Sequence, residues 1–130
     1  DPLWSRGLGD VYKRQEIYDL KVSRHLLIER DGSLVQFVPF NKKAWHAGVS
    51  SFKGRENCNE FSIGIELEGT DENAYTDDQY RALIDITKEL MLVFQDIKKE
   101  NIVGHSDIAP GRKTDPGKAF DWHYYLSNLV

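Results

Sequence analysis

The chain has a single cysteine, Cys58, so it can close no internal disulfide and its fold does not depend on an oxidising compartment. That favours a cytoplasmic location. With one cysteine and no CxxC or HxxxH spacing, a closed four-ligand structural zinc site is excluded as well. Long apolar runs are also missing. The longest, Leu90 to Phe94, is far short of a bilayer span, and no charged start followed by an apolar stretch marks an export signal, so no membrane partner is expected. Basic residues are not in excess: 17 Lys and Arg face 21 Asp and Glu, for a net charge of -4. Phosphate-binding surfaces need clustered Lys and Arg, so no nucleic acid partner is expected either. Internal repeats and low-complexity tracts are absent.

What remains is an ordinary globular composition in 130 residues, right for one domain with one core. Residues 1–20 open with DPLWSRGLGDVYKRQ, which has neither strand alternation nor a helical stripe and reads as foreign or disordered; residues 21–130 carry the domain. From Val22, HLLIER and Leu34 to Val38 flank the turn-forming pair Asp31-Gly32, predicting a hairpin. Asn41 to Asn59 is rich in Gly, Ser, Asn and Lys and reads as a long surface connection. FSIGIELEG suits a short buried strand. Thr76 and Gln79 form a capping-box pattern, and Tyr80, Leu83, Ile84, Leu90, Met91 and Phe94 then recur at helical spacing, predicting a helix from about Asp77 to Gln95. Asn101 to Gly104 is a strand candidate, and His105 to Gly117 a loop with Pro and Gly corners. Phe120, Trp122, Tyr125, Leu126 and Leu129 predict a last helix that docks aromatic rings on the core.

The densest chemical signal is GHSDIAPGRKTDPG, which brings His105, Lys113 and Asp115 into one loop. Imidazole and carboxylate are zinc ligands, and a catalytic zinc keeps one position open for a water whose pKa falls to about 7. Spacing alone is weaker evidence and favours a turn-capping Asp115. Glu66 and Glu68 share a strand face, and alternation alone reads them as two solvated carboxylates. Trp45 and His46 sit in a Gly-flanked loop, where Trp45 offers either a plane for a sugar ring or a core anchor. Cys58 has no neighbouring His, so a nucleophilic role is not expected, and His123 reads as a surface residue.

HSDIAPGRKTDPG, FSIGIELEGTD, AWHAG and VSRHLLIERDG together resemble the amidase_2 family of N-acetylmuramoyl-L-alanine amidases, closest to its cytosolic AmpD-type members, over about Lys21 to Trp122. The resemblance implies an α/β fold, a mixed central sheet flanked by helices, here without the family's N-terminal strand. It implies a zinc (Zn2+) cofactor bound by His105 and Asp115, Lys113 as oxyanion donor, Glu66 as general acid or base with Glu68 structural, and Trp45 and His46 binding substrate. The groove would lie at a sheet edge, between the AWHAG loop and the loop after His105. The family's third zinc ligand is an early-strand His with no counterpart before His25; His25 aligns with a different hairpin His and reads as a hydrogen-bonded core or near-site residue. Asn57 stands where relatives often carry Arg, which puts peptide preference in question. The implied reaction is hydrolysis of the amide between (1,6-anhydro-)N-acetylmuramic acid and L-alanine in anhydromuropeptides, in cytoplasmic cell-wall recycling, with little turnover expected of a chain that lacks one ligand. The alternative implied by that lack is a non-catalytic peptidoglycan-binding module.

Overall fold

A computed structural model of the chain describes residues 24–70 and 72–129. The segment 1–20, where the family's N-terminal strand was expected to be missing, lies outside the described residues.

The hairpin forms as expected, with β1 at Leu26–Ile28 and β2 at Leu34–Gln36. Glu29 N–H donates to the Ser33 carbonyl and Phe37 N–H to that of His25, the pattern of an antiparallel pair. Gly32 takes φ +87°, which an L side chain rarely adopts, and a Cβ there would lie 2.9 Å from the Asp78 carbonyl oxygen. Asp31 Oδ1 accepts from the Ser33 N–H at 2.9 Å, which holds its exposed carboxyl below the usual value.

The third strand, β5 at Ile65–Leu67, completes a sheet of order β2-β1-β5. His25 N–H donates to the Gly64 carbonyl and Glu68 N–H to that of Ile28, so the bonds advance together along both strands and this pair is parallel. The sheet is mixed, as expected of an α/β fold. β5 is not buried, however: Ile65 and Leu67 are half-buried and Glu66 is exposed, because among the described residues β5 is an edge of the sheet.

The chain divides into two compact units. The first comprises residues 24–27 and 34–66. Its core is small, built from His25, Leu26, Val38, Ala44, Ala47 and Cys58. The segment read as a bare connection contains β3 at Ser51–Phe52, β4 at Arg55–Glu56 and a 3-10 turn at Cys58–Glu60. Lys53 and Gly54 both have positive φ, at 50° and 82°, the geometry of a two-residue hairpin turn. A Lys-Gly pair is a poorer signal than Asn-Gly, so the sequence hides this turn.

The second unit comprises residues 28–33 and 67–129. Its main element, α1 at Asp77–Val93, starts with the expected capping box: Gln79 N–H donates to Thr76 Oγ1 at 3.1 Å and Thr76 N–H to Gln79 Oε1 at 3.0 Å. A cap of this kind contributes about 1 kcal/mol. Tyr80, Leu83, Ile84, Thr87 and Leu90 form its buried stripe, while Leu92 and Val93 face out. α2 is the single turn His105–Ile108, where a loop was expected, and α3 is Trp122–Ser127. Residues 102–104 form no strand: a 3-10 turn at Lys99–Asn101 precedes them, and their extended backbone has no ladder partner among the described residues. Phe120 anchors the aromatic cluster, with ring centroids 4.8 Å from Trp122, 5.4 Å from Tyr80 and 5.6 Å from Tyr125. No described helix is long and apolar enough to cross a membrane.

Candidate active site

In the second unit, the loop from Gly104 to Gly117 is shaped from the backbone outward. Gly104 caps α2, and its N–H donates to Asp107 Oδ2 at 2.8 Å. A Cβ on Gly104 would meet Pro116 Cδ at 2.8 Å and Trp122 Cζ2 at 3.3 Å, so a side chain there would displace the residue that follows Asp115. Thr114 to Gly117 form a turn closed by Gly117 N–H donating to the Thr114 carbonyl at 2.9 Å, and Ser106 N–H donates to the Asp115 carbonyl at 3.0 Å. These bonds set the residue after His105 against the residue that carries the carboxylate.

The outcome is a pair with His105 Nδ1 3.4 Å from Asp115 Oδ2. The imidazole side chain is 18% exposed and the carboxylate 53%, which leaves the pair open to solvent and to a ligand. As an ion pair it would exist only with His105 protonated. As a donor set it fits zinc: two ligand atoms about 2.0 to 2.1 Å from a tetrahedral ion stand about 3.3 to 3.4 Å apart. The two residues thus suit two corners of a tetrahedron. Among the described residues no group of three or more His, Cys, Asp or Glu side chains could hold a metal. Lys113, two residues before Asp115, is exposed, and its backbone N–H donates to the Ala109 carbonyl.

In the first unit, Glu66 is half-exposed and pairs with Arg24. Phe37 lies beneath that guanidinium, with its ring centroid 5.5 Å away. Trp45 is 43% exposed and so is no core anchor; Lys43 Nζ sits 4.1 Å from its ring centroid and 3.0 Å from Glu60. His46 Nε2 is 2.7 Å from Ser62 Oγ, and its ring lies 5.4 Å from that of His25. His25 itself is fully buried with both nitrogens engaged: Gly64 N–H donates to Nδ1 at 3.0 Å, so Nε2 carries the proton and donates to the Lys42 carbonyl at 2.6 Å. Burial pushes its pKa below the usual value, with the Lys42 bond a smaller opposing effect. A histidine with no lone pair to spare is not a metal ligand in this arrangement. Asn57 adopts φ +57° just before Cys58, which is buried, and His123 is exposed.

Glu68, in the second unit, is a structural residue. Its Oε1 accepts from the Arg30 N–H at 2.8 Å, and its carbonyl accepts from Gln79 Nε2 at 2.9 Å. Sequence reasoning did not find the partners that hold the site residues, Arg24 on Glu66, Ser62 on His46 and the backbone of Ser106 on that of Asp115. The first two are contacts between separate segments, and the third depends on how the loop folds back on itself, so none leaves a local pattern.

Comparison with known proteins agrees with these motifs. The pattern of the Amidase_2 family, described as N-acetylmuramoyl-L-alanine amidase, matches residues 5–118. The chain is 64% identical over 107 residues to the 1,6-anhydro-N-acetylmuramyl-L-alanine amidase AmpD of Escherichia coli K12, an alignment covering 82% of this chain and 58% of that protein. Its fold is similar to the crystal structure of a selenomethionine AmpD derivative, with a TM-score of 0.82 and 56% identity over 89% of this chain and 64% of that one. It is also similar to the E. coli amidase AmiD in complex with anhydro-N-acetylmuramic acid-L-Ala-D-gamma-Glu-L-Lys, with a TM-score of 0.80 and 33% identity over 94% of this chain and 52% of AmiD. The chain thus spans somewhat over half the length of these relatives. On the family match and the identity together, the chain belongs to the Amidase_2 family of N-acetylmuramoyl-L-alanine amidases.

Proposed function

We propose that the protein is a zinc-dependent amidase that cuts the bond between N-acetylmuramic acid, in its 1,6-anhydro form, and the L-alanine of a peptidoglycan fragment, in cytoplasmic cell-wall recycling. The observation that carries the reading is the His105–Asp115 pair at 3.4 Å, a separation and donor set suited to zinc in a chain of this family. The name of the E. coli relative and the substrate bound to AmiD support the anhydromuropeptide as substrate.

His105 and Asp115 would hold the metal, which when bound supplies Lewis acidity and lowers the pKa of water. In the role the family resemblance implies, Glu66 would take a proton from the attacking water and return it to the leaving amine of L-alanine. Lys113 donates from Nζ to the oxyanion of the tetrahedral intermediate, an interaction whose loss costs about 3 to 4 kcal/mol of barrier. The exposed face of Trp45 and the ring of His46 bind the sugar end.

The test is mass spectrometry of a 1,6-anhydromuramoyl tripeptide incubated with the protein and zinc. Free tripeptide should appear, slowly for a chain with no His before His25, and Glu66→Gln and Lys113→Met should each slow its release further, by about 100-fold or more. Retention of intact muropeptide without turnover would reject the amidase in favour of a binding module.

A further inference from the structure

The turn that carries Asp115 is held from three sides. Two of the holds come from its own loop, through Ser106 N–H and Gly117 N–H. The third comes from outside: the hydroxyl of Tyr75 donates to the Pro116 carbonyl at 2.8 Å, one residue beyond Asp115. We propose that Tyr75 is a positioning residue for metal binding by the His105–Asp115 pair, an inference that rests on the zinc reading above.

Tyr75 is built to deliver a fixed hydroxyl. It directly precedes Thr76, the cap of α1, whose Oγ1 donates to the Arg30 carbonyl at 2.5 Å. The ring is 9% exposed, stands edge-on to Phe120 at 5.8 Å, and has its Cε1 3.6 Å from where a Cβ on Gly69 would lie. Helix, strand end and aromatic cluster therefore fix the ring, and only its oxygen reaches the loop. Because Pro116 packs so closely on Gly104, the residue before His105, a hold on the Pro116 carbonyl constrains both members of the pair at once. Outer groups that orient ligands in this way typically change metal affinity by about 10- to 100-fold when removed.

Tyr75→Phe keeps the ring and deletes the hydroxyl. Tyr125→Phe is the matched control, since that buried hydroxyl lies 2.7 Å from Thr87 Oγ1. The experiment is zinc affinity of the full chain by competition with a chromophoric chelator, with the visible spectrum of the cobalt-substituted protein and the thermal midpoint measured alongside. Tyr75→Phe should weaken zinc by about tenfold and alter the cobalt spectrum, while Tyr125→Phe keeps both. Unchanged affinity in Tyr75→Phe overturns the proposal, and so does an equal loss in the two variants, which would mark general loosening. Equal zinc binding by His105→Ala and the unsubstituted chain would instead bring down the zinc reading itself, and this inference with it.

Discussion

The Nδ1 atom of His25 accepts the backbone N–H of Gly64 at 3.0 Å, which fixes the neutral, Nε2-protonated ring in the buried centre of the first unit. Protonating Nδ1 would break that bond and charge a desolvated ring. The folded-state pKa is therefore depressed below the unfolded value of about 6.5. Between the two values the unfolded chain binds more protons than the folded one, so this contribution is complete above about pH 6.5 and is lost as pH falls through the window below it. Unfolding in urea from pH 8 to pH 5 should show the loss. His25→Leu, which orphans the Gly64 N–H and the Lys42 carbonyl, should cost about 2 kcal/mol or more at pH 8 and flatten the slope. An unchanged slope in that variant would refute the assignment.

Gln79 is the hydrogen-bond hub of the second unit. Fully buried, it donates from Nε2 to the Ile28 and Glu68 carbonyls at 3.2 and 2.9 Å, while Oε1 accepts from Thr76 N–H and, at 3.3 Å, from Arg30 Nη1. Gln79→Ala strands these partners and half the capping box. It should cost roughly 2 to 4 kcal/mol in denaturant unfolding. A loss below 0.5 kcal/mol, the range of an ordinary surface substitution, would contradict the hub.

Gly64 leaves no room for a methyl group. A Cβ there would lie 2.3 Å from Cγ of His46, whose ring is tied to Ser62. Gly64→Ala should force His46 off Ser62 and cost about 1 to 3 kcal/mol, read as a lower thermal midpoint together with a shifted His46 ring resonance. An unmoved resonance would show that His46 is not pressed on Gly64.

Local signals made much of this molecule legible. Thr76 and Gln79 announced the start of α1, Asp31-Gly32 the hairpin, and the GHSDIAPGRKTDPG segment the loop that brings His105 to Asp115. What stayed hidden depends on partners remote in sequence. Gln79 read only as a cap, because its bonds to Ile28 and Glu68 cross the unit; Asn101 to Gly104 read as a strand because extended propensity says nothing about whether a partner lies alongside. Tyr75 carried no signal, since a hydroxyl that reaches Pro116 is a fact of tertiary packing.

The most direct test of the central claim is X-ray absorption at the zinc edge, on the zinc-loaded chain and on His105→Ala. One imidazole nitrogen at about 2.0 to 2.1 Å should be present in the first and lost from the second. Identical spectra from the two proteins would mean that the metal, if bound, is held elsewhere, and the His105–Asp115 pair would not be a zinc site.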